Sequence, residues 1–162
     1  MTNPKIQKML EFIEGCSDAA KLRQLAQNAA DEVAKNPANT GATELVRAAR
    51  RKLYSVLPSE QPGTIEYAVW QSIYALEDVL KQERGKTVLL ARTRQKIARQ
   101  GVTRCVADLV LGTASDGFRM LQEREMLELS FEAIALHFPE MFGQDVLDAA
   151  RERLLTAGFQ VS

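Results

Sequence analysis

Residues 64–85, TIEYAVWQSIYALEDVLKQERG, read as one long amphipathic helix with its stop and start signals in place. Thr64 offers a side-chain oxygen for the first free backbone N–H groups. Gly85 supplies the residue that can turn left-handed at the far end. Between them Ile65, Val69, Ile73, Leu76 and Leu80 recur at helical spacing and form one apolar stripe. Tyr67, Trp70 and Tyr74 form a second stripe beside it. Twenty residues of this pattern are too long for a strand, and the same period of about 3.6 governs the rest of the chain.

Working toward the N-terminus, PSEQPG at 58–63 is the strongest break. Before it, a third helix is expected from Ala42 to Leu57, after a polar linker from Ala38 to Gly41. A second helix is expected from a Ser17 cap to Lys35, with Leu22, Leu25, Ala26, Ala29 and Val33 inward and Asn36-Pro37 as its end. The first helix is expected over Pro4 to Glu14. Asn3 caps it, Pro4 suits the first helical position and Gly15 stops it, with Ile6, Met9, Leu10 and Ile13 as its buried stripe. Beyond Gly85 the helices shorten: 87–100, 102–111, 116–125, 131–138 and 144–157, punctuated by Gly101, Gly112, Pro139 and Gly143. The fold class this predicts is all-α, a compact bundle or array of about eight to nine helices, longer N-terminal and shorter C-terminal. The expected organisation is a single domain over 1–162, with 58–63 as the place for a subdomain break. Units of 60 to 80 residues bury little surface alone, which favours one shared core.

Charge excludes a bulk attraction to polyanions, because 21 basic and 21 acidic residues cancel. No apolar run reaches the roughly 18 residues of a membrane span, and the N-terminal stretch lacks a signal-peptide core. Cys16 and Cys105 stand far apart without a CxxC pair, so both read as reduced thiols and the expected location is cytoplasmic.

Catalytic groups are sparse. His137 is the only histidine, and it lies at a helix end in LHFP, where a positive ring favours the helix C-terminus. Cys105 falls on an apolar face, and Cys16 precedes a helix start that could lower its pKa. Pro139 keeps His137 and Glu140 off a common helical face. No zinc, EF-hand, dinucleotide or P-loop spacing occurs. Glu123, Glu125, Glu128 and Glu132 could pair as carboxylates, but a solvated helix with an Arg124–Glu128 pair accounts for them as well. The expectation is a chain with no enzymatic activity, metal or cofactor.

The stretch that carries a binding function is 84–104. Residues 84–107 contain no acid, yet hold Arg84, Lys86, Arg92, Arg94, Lys96, Arg99 and Arg104. On a helix Arg92, Lys96 and Arg99 make a stripe at i, i+4 and i+7, with Leu90, Thr93 and Ile97 docking the other face. Arg94 points elsewhere and either widens the basic surface or pairs with an acid. Arg47, Arg50 and Arg51 on the third helix could extend the patch, while acids gather between Glu123 and Glu152. Such cations suit the phosphate backbone of DNA or RNA. A solvated or internally paired helix is the plain alternative. IARQGVTRCVADLVLG at 97–112 resembles a helix-turn-helix, but its second helix is too apolar to read a groove. The second functional reading is a protein–protein adaptor or regulator, or a homodimer, anchored on Tyr67, Trp70 and Tyr74. Membrane attachment lacks an aromatic-rich opposite face.

Three strings, RTRQKIARQGV (92–102), DGFRMLQEREMLELSFEAIALHFPEMF (116–142) and AARERL (149–154), resemble a group of uncharacterised bacterial, mainly proteobacterial, proteins. The resemblance covers the chain from residue 84 onward. It implies a shared helical fold with the Arg-Thr-Arg-Gln-Lys segment as a recurring feature, and it implies no activity.

Overall fold

A computed structural model describes residues 3–161, and all its regular structure is helical. Nine α-helices and two 3-10 turns occur among the described residues, with no strand, and the longer helices precede the shorter ones. No helix of the described residues is long and apolar enough to cross a membrane. The chain divides into two compact units, one up to Ser59 and one from Glu60, a boundary inside PSEQPG.

The first unit holds α1 (Pro4–Glu14), α2 (Ala19–Lys35) and α3 (Thr40–Val56), with α3 packed on both α1 and α2. The ends of α1 are as expected: the Asn3 side chain accepts from the Lys5 N–H at 2.9 Å, and Gly15 follows the last turn. Its stripe is less buried than its period suggested, since Ile13 is buried while Met9 is exposed. Two boundaries differ from expectation. Asp18, and not Ser17, caps α2 by accepting from the Lys21 N–H. Asn39 caps α3, accepting from the Ala42 N–H, so α3 begins inside the stretch expected to be a linker. Gly41, expected as the last residue of that linker, lies in the first turn of α3. A Cβ there would come within 2.9 Å of Ile6 on α1, so the glycine serves close helix packing.

The second unit runs α4 (Ile65–Arg84), α5 (Ala91–Gln100), α6 (Val102–Leu111), α7 (Asp116–Glu123), α8 (Phe131–His137) and α9 (Gln144–Thr156). The 3-10 turns Leu127–Leu129 and Pro139–Met141 flank α8. On α4 the Thr64 hydroxyl accepts from the Tyr67 N–H, and Gly85 closes the helix at φ +71°. One apolar cluster gathers Ile65, Val69 and Ile73 of α4, Val102, Val106 and Val110 of α6, Ile134 of α8 and Val146 of α9. The Val102–Val106–Val110 row therefore faces the core, and Cys105 is fully buried beside it. The opposite face of α6 leaves Arg104 and Leu111 exposed, with Arg104 turned to Asp108.

The α8 and α9 helices end one residue earlier than expected, and α5 and α7 are shorter by more. The α7 helix stops at Glu123 because the Met126 and Glu125 N–H groups return to Leu121 and Gln122 carbonyls, a Schellman turn that puts Glu125 at φ +56°. The α5 helix starts at Ala91 and not at Thr87. The Leu90 N–H is drawn out to the Glu77 carboxylate at 2.8 Å, which holds residues 86–90 off the helix.

Candidate nucleic-acid interface

Seven cations that look alike in sequence become three kinds in the folded unit. Arg94 is the first kind. Its Nε and Nη2 donate to Glu77 Oε2 and Oε1 at 2.8 and 2.7 Å, a two-pronged pair. Its guanidinium also lies 5.1 Å from the Trp70 ring centroid and 5.9 Å from that of Tyr74. The hydrogen bonds to Glu77 hold the Arg94 pKa above its ordinary value, with burial opposing. Arg94 is thus an internal clamp that joins α5 to α4.

Lys96 and Arg104 are the second kind. Both reach Asp108 of α6, at 3.0 and 3.3 Å. The hydrogen bond from Lys96 is the main cause that keeps the Asp108 carboxyl below the ordinary carboxylate range, and the charges of Lys96 and Arg104 add to it. A depressed folded pKa stabilises above the unfolded value of about 3.9, and that contribution disappears as pH falls through the lower folded value. Asp108→Asn should therefore flatten the acid limb of the stability curve between about pH 5 and pH 2. Thermal midpoints of the two proteins that stay parallel over this range would refute it.

Arg84, Lys86, Arg92 and Arg99 are the third kind: exposed, and without an ion pair among the described residues. Arg84 and Arg99 occupy the last turns of α4 and α5, where the helix dipole favours a cation. Arg92 and Arg99 stand seven residues apart on α5, roughly 10 Å along one face. Leu90 and Ile97 pack against the apolar cluster from the opposite side, as their spacing predicted. The predicted Arg92–Lys96–Arg99 stripe keeps its two ends and loses its middle to Asp108.

Arg47, Arg50 and Arg51 belong to α3 in the first unit. Arg47 and Arg51 are exposed and engaged with neighbouring groups, and Arg50 is half-buried.

The aromatic stripe is largely used internally. Trp70 and Tyr74 are half-buried, 6.0 Å apart, and carry Arg94 on their rings. Tyr67 is half-buried and lines a groove of about 520 Å³ that also includes Gln71, His137 and Phe138. His137 ends α8, exposed, edge-on to Phe138 at 5.0 Å. The Cys16 Sγ approaches the Asp18 carbonyl at 3.8 Å. Burial pushes the Cys105 thiol up, which keeps it protonated and a poor nucleophile. Among the described residues no group of three or more His, Cys, Asp or Glu could hold a metal ion.

Sequence reasoning missed Glu77, and it placed Glu132 among four acids on a solvated helix where the structure buries it. Glu77 accepts from Leu90 and Arg94, and Glu132 accepts from Arg153 Nη1 at 2.6 Å. The expected Arg124–Glu128 pairing is replaced for Arg124 by Glu83 at 2.9 Å. A signal for Glu77 was available: it falls between Ile73 and Leu80 at the inward-facing positions i+4 and i−3 of the core stripe. An acid there demands a buried partner.

No protein-family model, curated protein or solved structure matches this chain.

Proposed function

We propose that this chain is a non-catalytic nucleic-acid-binding protein that takes the phosphate backbone of DNA or RNA on the segment from Arg84 to Arg99, without reading base sequence. The observation that carries this reading is the group Arg84, Lys86, Arg92 and Arg99, exposed and unneutralised in a chain whose total charge is zero. Phosphate contacts from spaced cations release counterions and set affinity, while sequence is read by contacts to base edges. On the adjacent α6, Val102, Cys105, Val106 and Val110 are buried and Arg104 is paired with Asp108, which favours backbone contacts over base reading.

Four phosphate contacts predict a slope of log affinity against log salt of about −3.6 on duplex DNA and about −2.8 on a single strand. Fluorescence anisotropy between low and physiological salt measures it. Alanine at Arg84, Lys86, Arg92 and Arg99 together should abolish low-salt binding. Asp108→Asn, which releases Lys96 and Arg104, should tighten it. Absence of binding at low salt, or binding indifferent to the four substitutions, would sink the proposal. The adaptor or homodimer reading through Tyr67, Trp70 and Tyr74 would need aromatic faces open to a partner. The half-burial of all three, and Arg94 over two of the rings, weigh against it.

A further inference from the structure

Glu77 accepts the Leu90 N–H and two nitrogens of Arg94, so the start of α5 is held against one face of α4. Glu77, Lys81 and Arg84 follow one another at i, i+4 and i+7, and therefore share that face. Lys81 is exposed and has no ion pair among the described residues. The acids nearest to it in the helix have other partners. Glu77 holds Arg94, Asp78 accepts from Gln82 at 2.8 Å, and Glu83 pairs with Arg124 at 2.9 Å. Lys81 thus joins Arg84, Lys86 and Arg92 as an unneutralised cation where α4 gives way to α5. Leu89 stands in the same short connection and is 57% exposed. Its carbonyl accepts the Ala91 N–H at 2.9 Å, and its neighbour Leu90 is tied to Glu77, so its backbone is held in place.

We propose that the nucleic acid taken here is a single strand, with Lys81 as a further phosphate contact and an unstacked base laid against Leu89; this rests on the nucleic-acid reading above. A leucine set among cations gains nothing from phosphate oxygens. In a duplex the base faces are stacked inward, and a surface that binds the backbone meets charge. A single strand offers base faces beside its phosphates, and contact with a face tolerates any sequence because every base has one. An anionic membrane also joins phosphate to apolar matter, but a lone leucine without an aromatic-rich face is a weak anchor.

Fluorescence anisotropy on a mixed-sequence oligonucleotide, as a single strand and as its duplex at matched salt, tests this. The single strand should bind more tightly, and adding Lys81 to the four other contacts should steepen its salt slope to about −3.5. Lys81→Ala should return the slope to about −2.8. Leu89→Ala should weaken the single strand by roughly fivefold at an unchanged slope, and Leu89→Phe should strengthen it. Equal or tighter duplex binding, a slope untouched by Lys81→Ala, or an affinity indifferent to both Leu89 variants would overturn this inference and leave the nucleic-acid reading standing. Failure of both nucleic acids to bind at low salt, or capture by phosphatidylserine vesicles in their place, would remove the two together.

Discussion

Glu77→Ala is expected to destabilise the second unit by about 3 kcal/mol, among the largest effects of any single change in this chain. The Glu77 carboxylate is 10% exposed and accepts three hydrogen bonds, from the Leu90 N–H and from two nitrogens of Arg94. Its removal leaves a guanidinium over two aromatic rings with no counter-charge, and frees the backbone donor that marks the start of α5. Breaking a buried pair by deleting one partner is far more damaging than replacing both, because the survivor keeps its desolvation penalty. Glu77→Leu combined with Arg94→Met should therefore recover a good part of the loss. Urea unfolding followed by the fluorescence of Trp70, the only tryptophan, reports on this cluster directly. A Glu77→Ala midpoint equal to wild type would remove Arg94 from the structural class and return it to the candidate binding surface.

Arg153→Ala should be comparably severe, at about 3–5 kcal/mol. Arg153 on α9 gives Nη1 to Glu132 on α8 and Nη2 to the Gly112 carbonyl, which follows α6. One guanidinium thus ties three segments whose apolar faces share the valine-rich cluster. Without it Glu132 is left at 7% exposure with no counter-charge. Arg153→Lys should rescue little, since an ammonium does not present the planar fork that meets two acceptors at once. Denaturation curves of Arg153→Ala, Arg153→Lys and the double variant Glu132→Gln, Arg153→Met separate these effects. If Arg153→Lys matched wild type, point charge alone would explain the bridge.

The two effects bear on function through the same elements. The Arg94 clamp and the Lys96–Asp108 pair add to the packing of Leu90 and Ile97 that holds α5 on the unit, so substitutions at Arg94 or Lys96 mix binding with stability. Arg84, Lys86, Arg92 and Arg99 make no such contacts, and their removal tests binding with the fold intact.

Local physics made much of the fold legible. Asn3 with Pro4, Thr64 with Gly85, and Gly101 between two apolar-periodic runs each satisfy or release backbone groups within a few residues, so α1, α4 and α6 have the expected bounds. Where a partner far along the chain intervened, the local signal lost. Glu77 draws in the Leu90 N–H thirteen residues away and delays α5, and Ile6 of α1 explains a glycine inside α3.

The sequence by itself determined the helical period, the Asn3 and Thr64 caps and the separation of an acid-free segment from its acidic surroundings. Periodicity and capping act over one to four residues, and so can be read along a line. Only the tertiary structure decided which of the seven cations remain free. Whether a charge is neutralised depends on what lies within about 4 Å in space, and Glu77 and Asp108 reach Arg94 and Lys96 from other helices.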